Sequence, residues 1–99
     1  MHFLRAIATI LLLSTPLHAQ DAHVPEGFDS FEAYEVAMYA RIDELAAQKG
    51  LNIDFVHQDR AELRAEYETA RNRNDKAGMA EARAMQAYVI RFALEQLSK

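Results

Sequence analysis

The chain has 99 residues, carries 11 Lys and Arg against 15 Asp and Glu for a net charge of -4, and contains no cysteine. That length holds at most one ordinary domain, with little room for a deep cavity inside a single core. The acidic balance gives no electrostatic footprint for nucleic acid or an anionic membrane. The absence of cysteine excludes disulfides, thiolate metal sites and c-type haem attachment.

Residues 1–19 follow the plan of a secretory signal: His2 and Arg5 near the start, an apolar run over residues 6–13, then Ser14, Thr15, Pro16 and the small residue Ala19. Cleavage is expected after Ala19, leaving Gln20 first, with Ala22 as the alternative because Leu17 is larger than the residue preferred there. The apolar run is shorter than the ~20 residues that span a bilayer, so a cleaved leader is expected, with no membrane attachment afterwards. Its short charged start and Ala-Gln junction point to the periplasm or the exterior of a bacterium. Residues 20–28 contain Pro25 and Gly27 and no periodic apolar pattern, and read as a flexible N-terminal arm.

Residues 29–99 form the expected domain, and only 3 Gly and 2 Pro in the whole chain favour helices there. The first helix is predicted to start at Asp29 or Ser30, with Asp29 and Glu32 in capping-box spacing, and to end at Gly50. Leu51 is then placed to fold back in a Schellman motif. Phe31, Tyr34, Met38, Ile42 and Leu45 make its apolar stripe, with Val36 and Tyr39 off it. The second helix should open at Asn52 or Asp54 and run to about residue 72. Its stripe is Ile53, Val56, Arg60, Leu63, Tyr67 and Ala70, with Arg64, Glu68 and Arg71 spaced for ion pairs. Residues 72–75 are turn-formers, and Asn74 or Asp75 can cap the third helix, predicted over 76–97. That helix carries two stripes, Met85, Val89 and Phe92 on one side and Ala87, Ile90, Leu94 and Leu97 on the other. It is therefore central, or an oligomer interface as well. The fold class is all-α: a small antiparallel three-helix bundle, or a helical hairpin that dimerises.

Few residues suggest chemistry. Asp54 and His57 make an Asp-x-x-His pair, half of a carboxylate–histidine metal site without a second copy. Asp59, Glu62 and Glu66 align at three-four spacing, enough to gather a hard cation, although a solvated acidic face explains them more simply. Met38, Met79 and Met85 read as core filler rather than soft-metal ligands. Ser30 and Ser98 sit at helix ends without a nucleophile motif. The string Arg41-Ile42-Asp43-Glu44-Leu45 resembles part of the first helix of chorismate-mutase-type helical enzymes, over about one and a half turns. That resemblance implies arginines binding a dianion, with Arg41 and Arg60 as the candidates. Amphipathic helices produce this string often, and Arg60 is more simply a snorkelling residue at the edge of a core.

The expected function is therefore protein–protein interaction by an exported helical protein, as accessory subunit, inhibitor or chaperone-like factor. No catalytic residue and no cofactor are expected. Val36, Tyr39, Ile90, Leu94 and Leu97 are the expected contact residues, for a protein partner or for self-association, because they exceed what one small core readily absorbs. The alternatives are a cation-binding or stress-responsive periplasmic protein using Asp54, His57, Asp59, Glu62 or Glu66, and the mutase-like enzyme.

Overall fold

A computed structural model describes residues 24–99. The expected leader, its cleavage after Ala19 and the start of the arm lie outside these residues. Three helices follow in order, α1 (Phe31–Lys49), α2 (Asp54–Asn72) and α3 (Lys76–Leu97).

Each helix is bounded by a local chemical reason. Ser30 caps α1, its hydroxyl accepting from Ala33 N–H at 3.1 Å. The expected capping box does not form, because Ser30 takes the cap and the Glu32 carboxylate reaches away to Arg83. At the other end Gly50 adopts φ 66°, a left-handed conformation that costs a side-chain-bearing residue most. Its N–H donates to Ala47 O at 3.1 Å and that of Leu51 to Ala46 O at 2.9 Å, the two bonds of a Schellman motif. The Leu51 side chain, however, stays 52% exposed. Asn52 Oδ1 accepts from Asp54 N–H at 2.8 Å and so opens α2. Asn74 takes φ 59° in the following turn, and Asp75 caps α3 by accepting from Gly78 N–H at 2.9 Å.

Side-chain contacts set the topology. Arg83 near the start of α3 touches Phe31 at the start of α1 and Tyr67 late in α2. Asp43 late in α1 meets His57 early in α2. Val56 of α2 and Leu97 of α3 border the same hollow. Neighbouring helices in sequence therefore run antiparallel, an up-down-up bundle with α3 packed on both others.

The main core gathers Phe31, Tyr34, Tyr39, Ile42, Val56 and Ile90 with Ala46, Ala87, Ala93 and Leu97. A smaller one at the far end joins Tyr67 and Ala70 to Met79 and Ala82. Burying Phe31, Ile42 and Ile90 completely stabilises the fold by about 1.5–3 kcal/mol each. The described end of the arm is docked rather than loose: Val24 and Phe28 pack on the main core, and the Phe28 ring meets Tyr34 edge-on at 5.4 Å. Gly78 permits a close approach of α3 to α2, since a Cβ there would stand 3.1 Å from that of Ala70 and collide with the Asp75 cap. Among the described residues, no helix is long and apolar enough to cross a membrane.

The stripes are partly redrawn by tertiary packing. Met38 and Leu45 are only half-buried at the edge of the main core, while Tyr39 and Ala46 go inside with Glu35. On α3 the stripe of Ala87, Ile90 and Leu97 is buried, whereas Met85 and Phe92 of the other remain 49% exposed. Met85 is thus not core filler. The expected pairing of Arg64 with Glu68 is also replaced, since Arg64 turns to Glu35 of α1 and Glu68 pairs with Arg71.

Candidate functional site

Two features of the bundle exceed what a plain apolar core requires. One is a set of charges held between the helices. The other is an apolar surface left open.

The buried charges centre on Arg83, whose guanidinium lies 3.6 Å from the Tyr67 ring centroid and 4.4 Å from that of Phe31. Nη1 donates to Gln86 Oε1 at 3.0 Å and Nη2 to Glu32 Oε2 at 2.6 Å. This planar cation joins all three helices, a role that a point-charged lysine cannot reproduce. Burial works to raise the Glu32 pKa, but hydrogen bonds from its own backbone N–H and from Arg83, with the Arg83 and Arg64 charges, hold it below the usual carboxylate value. Beside it Glu35, buried in α1, faces Arg60 at 3.5 Å and Arg64 at 4.0 Å. The Arg60 guanidinium also lies 4.3 Å from the Tyr39 ring centroid. Burial and the Glu35 carboxylate push the Tyr39 phenol up to about 12.

Glu35 Oε2, Arg60 Nε, Arg83 Nε and Gln86 Nε2 have no hydrogen-bond partner among the protein atoms. The adjoining cleft, bordered by Glu32, Glu35, Arg64 and Arg83, measures about 60 Å³. A cleft of this size accommodates water beside the unpartnered polar atoms. The arrangement fits a charged clamp on helix register better than a reaction site.

The candidate metal and mutase residues do not converge. His57 Nε2 donates to Asp43 Oδ1 at 2.6 Å across the α1–α2 boundary, and Asp54 is exposed at the first turn of α2. Among the described residues, no three His, Asp or Glu side chains gather as a metal would require. Asp59, Glu62 and Glu66 are all exposed on α2. Arg41 is exposed and bonded to Glu44 at 2.8 Å, whereas Arg60 is engaged by Glu35 and Tyr39. Each arginine thus has a partner within the chain.

The expected contact residues are also relocated. Tyr39, Ile90 and Leu97 are 3%, 0% and 7% exposed, and Leu94 packs against the core. The bundle absorbs them because Ala46, Ala87 and Ala93 leave space around them. Val36 alone of the five is exposed, at 62%. It stands on α1 as a single apolar residue of the kind that ordinary surfaces carry.

The open apolar surface lies instead along α2 and α3. One hollow of about 420 Å³ is bordered by Leu51, Phe55, Val56, Tyr88, Phe92 and Leu97. A second, of about 590 Å³, lies further toward the start of α3 beside Gly78, Ala82, Met85 and Tyr88. Tyr88 borders both, so the two hollows adjoin along α3 and together make up the α2–α3 groove. Phe55, Tyr88 and Phe92 are 64%, 53% and 49% exposed, and the Tyr88 and Phe92 rings stack at 6.0 Å. Every large apolar side chain that is strongly exposed among the described residues borders this groove, except Val36.

Phe55, Tyr88 and Leu51 were not among the expected contacts. Met85, Tyr88 and Phe92 at spacings of three and four carry the only local signal. No known protein family matches the chain, and neither a curated protein nor a solved structure matches it.

Proposed function

We propose that this is an exported, non-enzymatic protein that acts by binding another protein, through the groove between α2 and α3. The observation that carries the reading is the continuity of Leu51, Phe55, Met85, Tyr88 and Phe92 along one face, all about half exposed or more. Contiguous apolar surface of this kind marks interaction sites in small proteins. Aromatic residues and methionine are the types enriched at the centres of such interfaces. A groove between two helices suits the apolar face of a third. Export to the periplasm or the exterior rests on residues 1–19 and is checked by whether the N-terminus of the secreted material is Gln20.

The binding test compares wild-type protein with Phe55→Asp and Phe92→Asp in co-purification from the exported fraction. Phe55 is 64% and Phe92 49% exposed and neither belongs to the buried core, so each substitution should cost about 1–2 kcal/mol, and circular dichroism checks that the bundle persists. A partner retained by wild type and lost by both variants supports the reading. A wild-type protein that is monomeric by light scattering and retains no partner contradicts it.

A further inference from the structure

We infer that the occupant of the α2–α3 groove is a basic amphipathic helix of another protein, an inference that rests on the groove reading above and specifies its partner. The charged residues bordering the two hollows are Asp59, Glu66 and Glu81, all acidic. No Lys or Arg borders either hollow, and three arginines of the same two helices are engaged elsewhere: Arg60 and Arg64 face Glu35, and Arg83 is locked between Phe31 and Tyr67.

A ligand filling this groove therefore meets an apolar floor with a negative edge. An anionic amphiphile is repelled by that edge. A second copy docking face to face across a two-fold axis brings one acidic edge against another, because such an interface uses the same patch on both copies. Lys or Arg on the flanks of an apolar stripe complements the edge and steers the encounter.

The groove also sets the length. From Gly78 to Leu97 α3 rises about 28 Å at 1.5 Å per residue. A docked helix of about 18 residues, with apolar side chains at i, i+3, i+4 and i+7, spans it.

The test is a displayed library of 18-residue helical peptides with a fixed apolar stripe and randomised flanks, about the length the groove admits. It is selected on the purified protein and counter-selected on Phe92→Asp. The flanks of the surviving clones are expected to be enriched in Lys and Arg. Their affinity should fall about tenfold, or about 1.4 kcal/mol, on the Asp59→Asn, Glu66→Gln, Glu81→Gln variant. The same loss should appear for wild type in 1 M salt, where the screening length shrinks to about 3 Å. Groove-dependent clones without basic bias overturn the charge inference and leave the groove reading standing. Failure to obtain any clone that distinguishes wild type from Phe92→Asp overturns both. A wild-type dimer dispersed by Phe92→Asp places a second copy in the groove and overturns the inference as well.

Discussion

Replacing Arg83 tests whether the charged stack between the helices holds the bundle in register. Arg83→Met keeps much of the aliphatic volume and removes the guanidinium. Two ring contacts are lost, at 3.6 and 4.4 Å, each worth about 1–2 kcal/mol when desolvated. Gln86, 2% exposed, loses the donor to its Oε1, which costs about 1–3 kcal/mol. The bond to Glu32 adds at most about 1 kcal/mol, because that carboxylate is 65% exposed and screened by solvent. Replacing a buried charge by an apolar chain returns part of this, since the desolvation cost of the cation disappears. The net expectation is a loss of about 2–4 kcal/mol, read from urea unfolding followed by circular dichroism. Arg83→Lys discriminates charge from stacking, since it keeps the former and lacks the planar fork, and it should recover less than half of the loss. In Arg83→Met the Glu32 pKa, followed by NMR, should move up toward the ordinary value of 4.5, because both the hydrogen bond and the charge of Arg83 are gone. A loss below about 1 kcal/mol in Arg83→Met, or full recovery by lysine, refutes the stacking argument.

Removing the neighbouring buried acid, Glu35→Leu, strands Arg60 in a site where its side chain is only 21% exposed, and should cost about 2–4 kcal/mol by chemical denaturation. Tyr39 supplies an alkaline signature. Its phenol is raised from 10.0 to about 12, so its contribution is complete below pH 10 and is lost as the pH rises from there through about 12. Tyr39→Phe should remove that part of the alkaline stability loss, measured as unfolding free energy against pH. Gly50→Ala, which meets no steric obstacle yet keeps a positive φ, should cost about 1 kcal/mol in the same assay, and Gly50→Asn less.

The helix boundaries were legible because their causes are local. Gly50, the Asn74-Asp75 turn and the polar residues at helix starts each act within a few residues of the chain. The buried faces were less legible where a polar residue belongs to them. Glu35 reads as solvent-facing, which hides the row Phe31, Glu35, Tyr39, Ile42 and Ala46, and only the arginines of α2 make its burial tolerable. Arg60 interrupting the stripe of α2 was the available clue, since an arginine in an apolar row calls for a carboxylate on a neighbouring helix.

On α3, periodicity presented two apolar rows of similar quality. The choice between them follows from the alanines that let α1 and α2 approach, and that choice exposes Met85 and Phe92 rather than Ile90 and Leu97. The groove was therefore foreseeable as an excess of apolar surface but not as a place. Its other wall, Leu51 and Phe55, lies some 35 residues away in sequence and joins Phe92 and Tyr88 only through the antiparallel packing of α2 and α3.

The measurement that tests the groove most directly is site-specific photocrosslinking in the cells that produce the protein. A photoreactive phenylalanine analogue replaces Phe92 in the groove, and Arg41 on the exposed side of α1 serves as the comparison. A discrete heavier adduct with another protein is expected from position 92 and none from position 41. No adduct at position 92, or the same adducts from both positions, contradicts the groove reading.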